Sequence, residues 1–203
     1  MPRISASSVA EHVAHQEQAV VAAAVRLFTE RGYGAVTLAD IAAEVGLARN
    51  SLYRYFPTKA SILMHWYRTE IPALAQRAAD LLSGDDAPAQ RIERWADAQI
   101  DYVHQPEHRL IAALGQAAAS LSPDLQGELA ASHDHLMAPF LATIADSGLD
   151  DDQAAATADL IWNAVLAQAR REIGSGDNPA GRLVLHRCIG ALVGPATPSP
   201  DPG

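Results

Sequence analysis

Apolar residues return every third or fourth position along most of this 203-residue chain and almost never on alternate positions. Side chains realign after three or four residues on an α-helix but after two on a strand, so this spacing selects helices and disfavours a sheet. Before Gly32, for example, Val20, Ala24, Leu27 and Phe28 fall on one helical face. The expected fold class is all-α. The length suffices for one large domain, or for a small domain joined to a larger one, with a real core in either case.

Start and stop signals divide the chain into nine expected helices: from 9 or 11 to 31, then 38–45, 49–56, 59–82, 89–104, 107–121, 124–147, 152–173 and 180–193. Gly32 ends the first. Thr37 and Asp40 have capping-box spacing at the start of the second, and Gly46 supplies the sharp turn after it. Pro57 ends the third and Thr58 caps the fourth, in which Pro72 removes a backbone donor and should cause a kink. Residues 1–8 read as a loose arm, for which disorder is favoured over a phosphate contact by Arg3, and 195–203, with four prolines, as a disordered tail. The expected domains are 9–58, 59–194 and that tail.

Several function classes drop out. The single cysteine, Cys188, cannot form an internal disulfide, and no apolar run follows a basic start as in a secretory signal. No apolar stretch approaches the ~18 residues of a membrane span. These features predict a cytoplasmic protein with no membrane partner. No phosphate-binding glycine loop or nucleophile elbow appears, so no catalytic residue, no cofactor and no enzymatic activity are expected. Pro106 interrupts His104 and His108, while His133 and His135 point to different helix faces, so no metal site is expected. The acidic run Asp150 to Asp152 suits a helix N-terminus better than a calcium loop.

The net charge of −9 is unevenly placed. Up to Met64 there are six Arg/Lys against five Asp/Glu, a net of +1; from His65 onward there are nine Arg against nineteen Asp/Glu, a net of −10. The first part can approach a polyanion that the second would repel. Within the first part, AEVGLARNSLYRYFPTKASIL gathers two tyrosines, a phenylalanine, two arginines and the chain's only lysine. Ala42, Gly46 and Leu52 have the spacing of a helix-turn-helix: a small residue where two helices cross, a glycine at the turn, and an apolar residue beyond it.

Leu27-Phe28, Gly32-Tyr33, Thr37, Ile41-Ala42, Val45-Gly46-Leu47, Leu52-Tyr53-x-Tyr55-Phe56 and Lys59 follow in an order that resembles the DNA-binding domain of the TetR family of bacterial transcriptional regulators. The resemblance covers about the first third; beyond it only length and helical character are similar. It implies a three-helix N-terminal helix-turn-helix domain followed by a larger helical ligand-binding and dimerisation domain. The third helix would then enter the major groove of double-stranded DNA, with Arg49, Asn50 and Ser51 facing base edges. Tyr53, Tyr55, Thr37 and Lys59 would contact the phosphate backbone. Ala48 departs from the family, which often has a hydroxyl cap there; Asn50 stands where a small residue is frequent, and Tyr55 where histidine is also common.

In the acidic part, Ala155, Ala158, Ile161, Trp162, Val165 and Ala169 form an apolar stripe, and Leu183, Leu185, Ile189 and Leu192 another. By the resemblance these last two helices pair in a homodimer, with Ala158, Ile161, Trp162, Val165, Leu185 and Ile189 at the interface, so that two heads read a palindromic operator. Trp95, Gln99 and Tyr102 share a face, as do His133, Met137 and Phe140; with Trp66 they are the expected contacts of a small, mostly apolar effector. The expected function is repression relieved by that effector. The alternatives are a ligand-dependent activator, or an all-helical enzyme or scaffold whose helix-turn-helix is only a packing unit.

Overall fold

The computed structural model describes residues 6–194, with side chains from residue 11. The described residues form nine α-helices and one short 3-10 turn, with no strand. These are α1 (Ala6–Arg31), α2 (Leu38–Glu44), α3 (Arg49–Tyr55), α4 (Lys59–Leu82), α5 (Pro88–Tyr102), α6 (Pro106–Ala117), α7 (Pro123–Ala145), α8 (Asp151–Ser175) and α9 (Pro179–Val193). The all-helical expectation holds. Residues 1–5, including Arg3, and the 195–203 tail lie outside the described residues.

The boundaries differ from the sequence reading in an instructive way. Helices α5, α6, α7 and α9 begin on Pro88, Pro106, Pro123 and Pro179 themselves, not on the residue after. The first N–H of a helix has no intrahelical partner, so proline loses nothing there and brings a helical φ. Helix α1 starts at Ala6, inside the stretch expected to be a loose arm. The sixth helix stops at Ala117, and the 3-10 turn Ala118–Ser120 takes up the rest of the expected span. Pro72 lies within an otherwise continuous α4, and Pro139 within α7.

The chain divides into two compact units. The first runs up to Ile71 and includes Pro106–Ala130; the second is Pro72–Gln105 with the chain from Ala131 onward. In the first unit α1 packs on α2 and α6, and α2 on α3, so this unit extends beyond residues 9–58. Its buried side chains include Val20, Ala24, Leu27 and Phe28 of α1, Ile41 and Ala42 of α2, Leu52 of α3, and Ile62, Leu63 and Met64 of α4. In the second unit α5, α8 and α9 pack on one another around Ile92, Trp95, Ile100, Phe140, Ile161, Val165 and Ile189. Trp95 stacks on Phe140 with ring centroids 4.2 Å apart.

A polar network ties the same three helices. Glu172, whose side chain is fully buried on α8, accepts from Arg182 Nε at 2.9 Å and Nη2 at 2.7 Å, and from Gln168 Nε2 at 2.8 Å. Arg182 of α9 also reaches Asp101 of α5 at 2.7 Å, and His186 Nε2 lies 3.0 Å from Asp97. Gly181 leaves room for this: a Cβ there would meet Gln168 Oε1 at 2.4 Å and Asn178 Nδ2 at 2.5 Å.

Candidate nucleic-acid interface

Thr37 begins the site. Its hydroxyl accepts from the Asp40 amide at 3.2 Å while the Asp40 carboxylate accepts from the Thr37 amide at 2.8 Å, which is the expected capping box. The hydroxyl also donates to that carboxylate at 2.6 Å, and these bonds hold the Asp40 carboxyl below its ordinary range. Helix α2 ends where the Leu47 amide reaches back to the Ala42 carbonyl at 2.8 Å, a turn that places Gly46 at φ +67°. A Cβ at Gly46 would meet no atom within 4 Å, so it is the backbone conformation that calls for glycine.

Ala48 is the N-cap of α3 and makes no side-chain cap bond; only its carbonyl takes part, accepting from Ser51 and Leu52. Buried Leu52 and Phe56 seat α3 against the unit, which turns Arg49 and Asn50 outward. Ser51 and Tyr55 are half-buried, and Tyr53 is 39% exposed. Arg49 Nη2 donates to the Tyr53 hydroxyl at 3.1 Å, with the guanidinium carbon 5.5 Å from the ring centroid. A residue expected to read bases and one expected to hold the backbone thus form one pair, one helical turn apart.

Lys59 is placed differently from the other six. Its ammonium donates to the carbonyls of Tyr33 at 2.6 Å and Val36 at 2.7 Å, and lies 4.4 Å from the Tyr33 ring centroid. Burial pushes its pKa below the ordinary lysine value. Proximity in sequence to the helix-turn-helix gave no sign of this, because the two acceptors lie 26 and 23 residues away.

The residues expected to meet an effector separate by unit. Trp66 is buried in the first. In the second, Trp95 and Phe140 are stacked in the core, Met137 packs on that core, Gln99 and Tyr102 are half-buried, and His133 is exposed. Among the expected interface residues, Ala158, Ile161, Val165, Leu185 and Ile189 are at most 5% exposed in the single chain, and Trp162 is half-buried against Trp95 at 5.8 Å. Five of these six therefore have almost no surface left for a partner. The exposed large apolar residues of the same helices are Leu160, Ile173, Leu183 and Val184.

The Glu172–Arg182 network was missed, because its members come from three helices and no local spacing joins them. His104, Glu172 and Asp177 do bring potential ligand atoms within 4.8 Å of one another. Both oxygens of Glu172 are committed to Arg182, however, and that guanidinium opposes a metal ion at the same carboxylate. Among the described residues no helix is long and apolar enough to cross a membrane.

Comparison with known proteins agrees with this geometry. Residues 20–65, from mid-α1 into α4, match the model for bacterial regulatory proteins of the tetR family. The chain is 26% identical over 172 residues to the HTH-type transcriptional regulator CymR of Pseudomonas putida, covering 83% of this chain and 84% of that one. In fold it is similar to the TetR family transcriptional regulator PfmR of Thermus thermophilus, with a TM-score of 0.63 at 21% identity over 88% of this chain and 98% of that one. A transcriptional regulator from Saccharomonospora viridis, in complex with choline, gives a TM-score of 0.64 at 18% identity, covering 89% and 96%. Residues 20–65, which hold the helix-turn-helix of α2 and α3, thus match the tetR family of bacterial regulatory proteins, and over most of its length the chain is similar to transcriptional regulators.

Proposed function

We propose that this regulator is a homodimeric repressor that reads a palindromic operator with α3 of each protomer and leaves it when a small, mostly apolar molecule binds the second unit. The observation that carries the reading is the presentation of α3: Leu52 and Phe56 anchor it, and Arg49 and Asn50 face outward. Arg49 has the geometry to take guanine O6 and N7, and Asn50 adenine N6 and N7; Ser51 serves either. Tyr53, Tyr55 and Thr37 fix the register through phosphates.

One helix-turn-helix reads a few base pairs, so two must be held about one DNA turn apart. Dimerisation by α8 and α9 is supported by Leu160, Leu183 and Val184, which expose apolar surface while their neighbours fill the core. An effector site lined by Trp95, Gln99, Tyr102, Met137 and Phe140 suits an apolar ligand with a few polar groups, and the choline complex of a fold neighbour supports small-molecule binding in this fold. Helix α4 runs from the first unit into the second at Pro72 and is one of three covalent crossings between them, with 105–106 and, within α7, 130–131. An effector acts by favouring one disposition of α4 over another.

The test is a gel shift against the DNA flanking the regulator's own gene, across a salt series. A sequence-specific, salt-sensitive shift supports the reading; its absence there and in an operator selection from random duplexes refutes it. Fusing the selected operator to a reporter separates repression from activation.

A further inference from the structure

We propose that Lys59 is a positioning residue, a latch that joins the first turn of α4 to the loop before α2, and that its charge is not used to neutralise DNA phosphate. The ammonium is held from two sides by main-chain carbonyls, at 2.6 Å from Tyr33 and 2.7 Å from Val36, and flanked by the Tyr33 ring. That ring in turn packs on buried Phe28 of α1 at 5.1 Å. Val36 is buried, and the next residue is Thr37, the cap of α2. One ammonium therefore connects the start of α4, the loop and the start of the helix-turn-helix. Turning it toward a phosphate would strip a donor from two carbonyls and expose a gap beside Val36.

Residue choice supports the same conclusion. Fourteen of the chain's fifteen cationic side chains are arginine, and its single lysine stands here. Arginine suits phosphate, which its planar fork grips in bidentate fashion, whereas a compact ammonium with three diverging donors suits two converging carbonyls and a ring face. If α4 moves on effector binding, the latch makes α2 follow it, so the helix-turn-helix shifts as a body.

The single lysine also makes the test clean. Full-length protein labelled only in lysine gives one side-chain set by NMR. We expect its ε-methylene protons upfield of a solvated lysine through the Tyr33 ring current, and a return to ordinary positions in Tyr33→Leu; an ordinary position in the wild-type protein overturns the latch. Hydrogen exchange should quicken about tenfold in the segment 33–40 in Lys59→Met. Lys59→Arg should fail to restore it; unchanged exchange in Lys59→Met, or full restoration by arginine, also overturns it. The third arm rests on the DNA-binding reading. On a random-sequence duplex of about 30 base pairs, Lys59→Met should keep the wild-type slope of log K against log salt, whereas a slope reduced by about 0.9 assigns Lys59 to phosphate. Should the wild-type protein bind no DNA, that reading fails while the NMR and exchange arms still decide the latch.

Discussion

Acid should remove a defined part of this protein's stability through one side chain. Glu172 is buried, and the Arg182 hydrogen bonds, with that from Gln168, hold its pKa at about 2 against an ordinary 4.5. A carboxylate with a depressed folded-state pKa stabilises the fold above its unfolded pKa and loses that contribution as pH falls through the folded one. A shift from 4.5 to about 2 corresponds to about 3 kcal/mol in full, with about 2 kcal/mol already lost by pH 3. The window is therefore pH 5 to 2.

The assay is urea unfolding between pH 7 and 3, followed by the fluorescence of Trp95 and Trp162, which lie in the same unit as Glu172. Other carboxylates are also held below their ordinary range, Asp40 by Thr37 and Glu128 by Arg68, so the quantity that matters is the difference between wild type and Glu172→Gln. Wild type should lose about 2 kcal/mol more than the variant between pH 7 and pH 3. Arg182→Met leaves the buried carboxylate unpaired and should cost about 3 to 5 kcal/mol at pH 7, less in acid as Glu172 protonates. Parallel pH profiles for wild type and Glu172→Gln would refute the reasoning.

Three further outcomes are expected. Ala48→Ser supplies the missing cap of α3, whose N-cap backbone is already extended, and should stabilise the protein by about 1 kcal/mol in urea unfolding. Arg49→Ala should weaken operator binding by about 1 to 3 kcal/mol and relax the choice of one base pair, read by titration against a set of single-base operator variants. Leu160→Glu places a charge on an exposed apolar side chain of α8 without touching the core; light scattering should show a shift from dimer toward monomer, with little change in helix content.

The fold was legible because its rules are local. Period and punctuation found all nine helices, and Thr37 with Asp40 announced the cap that the structure contains. The errors were local too: proline was treated as a separator when it was the first residue of a helix, and Asp150 to Asp152 was placed at the start of α8 without its cap being seen. Asp150 is that cap, paired with Gln153 in a second capping box. Burial was legible only by face. Helices α8 and α9 each carry apolar residues around much of their circumference, and periodicity does not tell which arc meets α5 and which meets solvent. The stripe chosen for a partner, from Ala158 to Val165 and Leu185 to Ile189, is the one the chain uses for itself.

Charge was legible as a sum but not as a set of bonds. By count the first part of the chain offers six cationic groups to DNA, yet Arg26 is tied to Glu30 and Glu44 and Lys59 to two carbonyls. Arg68, just beyond, is paired with Glu128. Ion pairs between exposed groups are weak and can reopen beside a phosphate, so Arg26 stays available to the polyanion at small cost. The ammonium on its carbonyls does not, because opening it leaves polar groups unpaired in a partly buried loop. What distinguishes the two cations is therefore the partner each would abandon. By that criterion Arg26 stays available to a polyanion and Lys59 does not, so the count of six cationic groups overstates by one what the head can offer DNA.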